Sequence, residues 1–439
     1  MTRALSWGRY PDVEQRLYPV NWQDDAWPAI TQTSLLAHGQ GRSYGDVAVN
    51  DGGVLLLTEG MNRFIDFDRE QGIVRCEAGI SFAEILNLIV PHGWFLPVTP
   101  GTKFVSLGGA VANDVHGKNH HQAGTFGCFV TQLGLRRSDE GLQICSETQN
   151  PELFKATIGG LGLTGLIVWV EFRLKKISST YIEQECEKFS NLQQFLALSE
   201  TAAEDWEYTV AWIDCQAKSG RLGRGIFYRG NHAQHAGKHR EPGDYARTRL
   251  SMPMDLPGFV LNRLSISLFN QLYYHRPLAR RGRVHFDPFF YPLDKIAHWN
   301  RMYGARGFFQ YQCVIPTAQA LDAMTDILQI IAQSGQGSFL SVLKLFGDMP
   351  SPGMLSFPRA GVTLALDFAN RGNKTQSLLA QLDAVTLAAG GAVYPAKDAC
   401  MSASHFQHYY PQWTDFTHYI DPAFSSSFWR RVTQTGTAA

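Results

Sequence analysis

The chain lacks an excess of either charge: Lys plus Arg and Asp plus Glu each total 39 in 439 residues, a formal net charge of zero. That balance excludes a whole-molecule field drawing it to nucleic acid, so an anionic partner must be met by a local patch. Cysteine is sparse. The seven residues (Cys76, Cys128, Cys145, Cys186, Cys215, Cys313 and Cys400) are odd in number and scattered, with no C-x-x-C pair, which implies neither a disulfide framework nor a zinc site. Long apolar runs are missing too. No stretch approaches the roughly eighteen uninterrupted apolar residues of a spanning helix, and the opening MTRALSWGRYPDVEQRL has no secretory-signal core. The expected location is the cytoplasm, or the inner face of a membrane as a peripheral protein.

What is present describes a packed protein. Hydrophobic residues make up 44% and charged residues 18%, with 27 Phe, 16 Tyr and 10 Trp, a composition that rules out intrinsic disorder. The length predicts two or three domains. SLLAHG and VLLLTEG read as short buried strands. FIDFDREQGIVRCEA reads as a hairpin about Gln71-Gly72, and Ser81 with Glu84 forms a capping box opening a helix that ends near Gly93. Beyond about Lys176 the composition shifts toward aromatics and histidine, which marks a domain boundary. There FQYQCVIP, SFLSVLKLFG and VTLALDF read as strands and LDAMTDILQIIAQSG as an amphipathic helix.

Three stretches concentrate glycine. In HGQGRSYGD, Gly39, Gly41 and Gly45 let the backbone turn sharply and present several N–H groups to one anion. No Gly-Lys-Ser/Thr and no helical pattern follow, so this is neither a Walker A loop nor a Rossmann turn; it reads as an anion cradle or as a connection without a ligand. The second stretch, Pro97 to Gly127, runs into Asn113, Asp114, His116, Lys118, Asn119, His120 and His121. His116 and His120 stand at i, i+4, but without the carboxylate of H-E-x-x-H and beside helix-breaking glycines at 117 and 124. Structural histidines are therefore favoured over a metal site. The third stretch, IGGLGLTGLIVWVEFRL, enters a strand.

In combination, GQGRSYGD, PGTKFVSLGGA, HGKNHHQAGTFG and GGLGLTG resemble the PCMH-type FAD-binding domain of the vanillyl-alcohol-oxidase superfamily. A closer likeness, to the decaprenylphosphoryl-β-D-ribose 2′-oxidase family, continues through HWNRMYG, GFFQYQCVIPT, GSFLSVLKLFG, LSFP and YPAKDA over roughly the whole chain. The resemblance implies an α+β protein. A two-subdomain FAD-binding domain would span 1–177 and an α+β substrate domain with an antiparallel sheet 178–391, with 392–439 returning to the FAD domain. It further implies that FAD is held by backbone N–H groups of Gly39, Gln40, Gly41, Arg42, Ser43, Tyr44, Gly45 and Asp46 and of Ser106, Leu107, Gly108 and Gly109. Gly101, Asn113, Asp114, Val115, His116, Ile167 and Tyr394 would lie along the cofactor. Many members of the superfamily tether the flavin through a histidine where this chain has Arg42, and a guanidinium cannot take that role. Non-covalent FAD is therefore expected, with His116 the alternative tether.

The activity implied is oxidation of the 2′-hydroxyl of a polyprenylphosphoryl ribose to a ketone. A short-chain reductase would complete the epimerisation, and a quinone or oxygen would reoxidise the flavin. Such chemistry needs a base for the hydroxyl proton. Lys397, His116 and Lys118 are the implied catalytic residues, with Lys397 either accepting the proton or staying charged to stabilise a developing alkoxide. Tyr44, Gln310, Gln312, Lys344 and Phe346 are implied to hold the substrate. Two departures stand out: Tyr291 falls one position from where relatives place a tyrosine, and Ala365 replaces a cysteine. The alternatives are a soluble alditol or aldonolactone oxidase and a binding protein without flavin. Finally, the polar stretch from His232 and the basic aromatic segment Tyr273 to Phe290 read as surface loops or a lid, with Arg276, Arg280, Arg281 and Arg283 suited to a lipid phosphate or a membrane surface.

Overall fold

Short apolar runs separated by glycine turns become three larger sheets and two two-stranded ones among the described residues. The structure, a computed structural model, describes residues 4–28, 33–234, 245, 248 and 250–433. Most of the polar stretch beginning at His232 therefore lies outside the described residues. Strands Arg16–Pro19, Val54–Leu57 and Leu35–His38 form a small parallel sheet with Val54–Leu57 central. The five-stranded antiparallel sheet runs in the order Phe64–Asp68, Ile73–Glu77, Leu166–Arg173, Val130–Arg137, Gly141–Ser146. Its first hairpin turns at Gly72, whose φ of +67° is the left-handed region that glycine enters without cost. The expected capping box opens the helix Phe82–Ile89: the Ser81 hydroxyl accepts from Glu84 N at 3.2 Å, while Ser81 N donates to Glu84 Oε2 at 2.8 Å.

The third sheet has eight strands, all paired antiparallel, and contains Tyr181–Phe189, Tyr208–Ile213, Gly225–His232, Ser341–Phe346, Gly361–Ala369 and Phe308–Ile315. Side chains alternate across it. Tyr311, Cys313 and Ile315 join the core beneath the helices Thr317–Ser334 and Asn373–Ala388. The alternate residues, Gln310 and Gln312, turn to the opposite face.

The basic aromatic segment is not a loop. It folds as the end of the helix Arg263–His275, the edge strand Arg281–His285 and the short helix Phe286–Phe290. Arg283 pairs with Glu183 at 2.6 Å and Arg281 with Glu185, because the carboxylates of the neighbouring strand Tyr181–Phe189 face them across the ladder. The C-terminal residues pack on the first glycine loop and its neighbours. Phe424 bridges to Leu35, Arg431 holds Asp46 at 2.7 and 2.8 Å and Asp398 at 2.8 Å, and Asp421 accepts from Ser138 N at 2.6 Å.

Candidate active site

The first glycine loop leaves the strand Leu35–His38 at a close crossing. A Cβ on Gly39 would lie 2.1 Å from Ser106 Oγ, and Gly41 has φ +59°. The loop therefore presents bare backbone. Among the described residues, the N–H groups of Gly39, Gln40, Gly41, Arg42 and Ser43 donate to no partner, whereas Tyr44 N donates to Ala396 O at 2.9 Å. These five donors border a cavity of ≈ 760 Å³ that extends across the face of the eight-stranded sheet. Gly101, Ser106, Gly108, Gly109, Asn113, Val115, His116, Ile167 and Tyr394 are also on its wall.

The second glycine segment contributes shape more than donors. Leu107 N is spent on Ile80 O at 2.8 Å, Gly108 N on Ala78 O at 2.7 Å and Gly109 N on the capping Ser106 Oγ at 3.3 Å. Those amides are not available as the anion donors expected of them, because they fasten the helix Leu107–Ala112 to its neighbours. Five expected residues, Leu107 among them, stand behind the wall. Gly45 abuts Asp398 O, and Asp46 is paired with Arg431. Leu107 is core, Asp114 accepts from Gly127 N at 2.9 Å and Ser356 Oγ at 2.5 Å, and Phe346 packs its ring 4.9 Å from that of His116. Each supports a residue that does face the cavity.

Among the described residues, Asn113 Oδ1 and His116 Nδ1 are buried polar atoms of the cavity lining without a hydrogen-bond partner. Gln312 Nε2 donates to His116 Nε2 at 2.9 Å, which leaves the ring proton on Nδ1. Burial, with Lys344 close by, holds the imidazole well below its usual pKa and keeps it neutral. Tyr394 Oη donates to Asn113 O at 2.7 Å, linking the C-terminal return to the same corner. Unspent donors at one end and unpartnered polar atoms at the other, joined by a long cavity, fit a dinucleotide with a polar ring system such as FAD. Arg42 lies between, its Nε donating to Phe104 O at 3.1 Å and its guanidinium 4.1 Å from the Trp7 ring.

The lining also carries three lysines. Lys397, in the turn Pro395–Lys397, puts Nζ 3.9 Å from the centre of the Tyr44 ring. Lys344 Nζ donates to Gly117 O at 3.4 Å and Lys118 Nζ to Phe290 O at 3.2 Å. Among the described residues none of the three has a carboxylate at ion-pair distance. Burial lowers all three pKa values, Lys118 to about 8 and Lys344 and Lys397 to about 7; Lys118 and Lys397 also repel Lys344.

Asp367 is the residue that reading the sequence alone missed. It is fully buried, accepts from Gln310 Nε2 at 2.5 Å and Tyr303 Oη at 3.3 Å, and is pushed up to about 7 by burial. Its charge is the one that raises the pKa of Lys397. Within VTLALDF it looks like an ordinary polar position of a strand. Register is the signal that reveals it, because Asp367 is the direct cross-strand partner of Gln310 and Thr363 that of Lys344. Tyr291 is buried with its hydroxyl 2.7 Å from Thr99 Oγ1 and does not reach the cavity, whereas Ala365 does.

Comparison with known proteins agrees with this geometry. Residues 26–145 match the model of the FAD binding domain. The chain is 32% identical, over 98% of its own length and 97% of the relative's, to decaprenylphosphoryl-beta-D-ribose oxidase of Mycolicibacterium smegmatis. It is 30% identical to an uncharacterized protein from the mprA 5′ region of Streptomyces coelicolor, covering 80% of this chain and all of that one. A shorter match, 31% identical over 30% of each chain, is to mouse L-gulonolactone oxidase. Among the described residues no group of side chains could hold a metal ion, and no helix is long and apolar enough to cross a membrane. With an FAD binding domain in its first third and a relative matched along nearly its whole length, the chain belongs to the decaprenylphosphoryl-β-D-ribose oxidase family of FAD-dependent oxidoreductases.

Proposed function

We propose that the chain oxidises the 2′-hydroxyl of a polyprenylphosphoryl-β-D-ribose to the 2′-keto sugar, with FAD held without a covalent bond. The observation that carries this reading is the convergence of Lys118, Lys344 and Lys397, unpaired, on one cavity. Three buried cations with lowered pKa values are costly unless an anionic or proton-donating ligand completes them. FAD, when bound, supplies the acceptor for the hydride.

Lys397 takes the hydroxyl proton. A pKa near 7 leaves a large neutral fraction at physiological pH, and the Tyr44 ring beneath its ammonium fixes its direction. Lys118 and Lys344 hold phosphate or sugar oxygens, Gln310 and Gln312 the sugar hydroxyls. Phe346 steadies the neutral His116, whose Nδ1–H would be free to donate to the cofactor. Gly39 to Ser43 serve the pyrophosphate, with Tyr44, Gly101, Ser106, Gly108, Gly109, Asn113, Val115, Ile167 and Tyr394 around the remainder. The domain division at 177 and 391 belongs to the same reading, as do a short-chain reductase that consumes the ketone, a quinone or oxygen as final acceptor, and a site of action at the inner face of the membrane.

An anaerobic titration of the purified holoprotein tests it. Bleaching of the flavin bands by a short-chain prenylphosphoryl ribose, and not by alditols, is the expected result. Bleaching by alditols alone would overturn the substrate. Release of intact FAD on acid precipitation is expected in the same preparation; flavin retained on the pellet would point to His116 as a tether.

A further inference from the structure

The run Gly258 to Leu272 is apolar in sequence, and the structure puts much of it outside. Phe259 is 75% exposed, Leu264 81%, Leu268 61% and Leu272 66%. The three leucines are spaced i, i+4, i+8 on the helix Arg263–His275 and so form one stripe. Fraying does not explain the exposure, for the helix is firmly fastened. Asn262 caps it through Leu264 N and Ser265 N, Ile266 and Asn270 are buried on its inner side, and Asn270 Nδ2 donates to Asp214 Oδ1 at 3.0 Å. A fixed helix holding a leucine stripe to solvent marks an interaction surface.

Charge and position identify the occupant. Between residues 250 and 286 the sole carboxylate is Asp255, and Arg9 already pairs with it at 2.7 Å. Arg263 and Arg280 are exposed and have no carboxylate partner among the described residues. The inner side of the same helix supplies Tyr273 and Arg276 to the cavity wall, beside Trp212 and Tyr228. The stripe is therefore the outer surface of the wall whose inner surface encloses the substrate space.

We propose that the helix Arg263–His275 lies flat on an anionic lipid bilayer, with Phe259 and the three leucines entering the acyl boundary and Arg263 and Arg280 on the headgroups. A lipid-phosphate substrate then passes from the bilayer into the cavity beneath this helix; that last step rests on the proposed substrate, the docking itself does not.

The test is flotation of the full-length, FAD-loaded protein with phosphatidylcholine vesicles, with and without phosphatidylglycerol. Wild type is expected to bind the anionic vesicles about tenfold better than neutral ones. The variant Leu264→Ser, Leu268→Ser, Leu272→Ser should lose most binding to both, while keeping its flavin spectrum and its reduction by a short-chain soluble substrate. Arg263→Glu with Arg280→Glu, which leaves the stripe intact, should erase only the preference for phosphatidylglycerol, and it decides the matter should the leucine variant not fold. Absence of wild-type binding, or binding unchanged in both variants, overturns the proposal. So does a wild-type dimer in sedimentation that the leucine variant makes monomeric without any vesicle binding, since that gives the face to a second copy. Vesicle binding without flavin reduction by prenylphosphoryl ribose overturns the substrate and leaves the docking face standing.

Discussion

The two walls of the cavity are made of different material. On one side, Gly39 to Ser43 offer backbone donors that no side chain obstructs, in a stretch of five consecutive residues. Elsewhere in the lining, Lys118, Gln310, Gln312, Lys344 and Lys397 come from points spread over nearly 280 positions of sequence, brought together by the pairing of antiparallel strands and one C-terminal turn, with Asp367 buried behind Gln310. A backbone wall tolerates changes of side chain but no added bulk. A wall of buried polar side chains loses its chemistry when those side chains lose their charge. The comparison predicts that mutations on the second wall change the reaction while leaving the cofactor in place, and that mutations on the first do the reverse.

The largest expected effect is on the second wall. Lys397→Met should keep the flavin spectrum and lower kcat by roughly 10²–10⁴-fold, the range for loss of a positioned general base. Stopped-flow reduction measures it. A loss of FAD in this variant instead would erase the distinction between the walls.

The first wall is tested by size alone. Gly39→Ala sets a methyl against Ser106 Oγ and Cβ, and should weaken FAD binding by at least about tenfold, since close backbone approach is what the position provides. Adding Ser106→Gly removes both obstructing atoms and should recover much of the affinity, although it also deletes a helix cap and with it about 1 kcal/mol of stability. Fluorescence titration of FAD against both apoproteins distinguishes relief of a clash from general unfolding. Failure of the second change to help would mean that Gly39 is needed for another reason.

The same difference in material explains what could be read from the sequence. A donor loop of consecutive residues is a local pattern, and so are the Ser81 capping box and the hairpin at Gly72; all three are present in the structure. Neither local pattern nor the family resemblance says which amides are already spent, which is why the resemblance implied Leu107, Gly108 and Gly109 as donors alongside the first loop. Asp367 has meaning only opposite Gln310, a relation fixed by register between positions 57 residues apart. The run Gly258 to Leu272 is undetermined for a related reason: hydrophobicity reports that a face seeks an apolar partner, not whether the partner lies within the chain.

The smallest effect is the one that separates function from stability on the lysine wall. Lys344 is held near pKa 7 in the folded chain, by burial and then by Lys118 and Lys397, against an ordinary 10.5. The folded state thus binds fewer protons than the unfolded state between about pH 7 and 10.5, so the penalty is complete below 7 and fades as pH rises. Lys344→Met removes it, and should raise stability at pH 6 by about 1 kcal/mol, as replacing a buried ion with a packed apolar group commonly does. The gain should shrink steadily toward pH 10 in denaturant melts. It should also shrink when inorganic phosphate is added, because an anion seated between Lys118, Lys344 and Lys397 stabilises wild type and has less to hold in the variant. A gain that is independent of pH and phosphate would mean that the introduced methionine merely packs better than the lysine. A gain that obeys both would mean that the wall carries its three charges at a cost to the fold, and that only an anionic ligand offsets it.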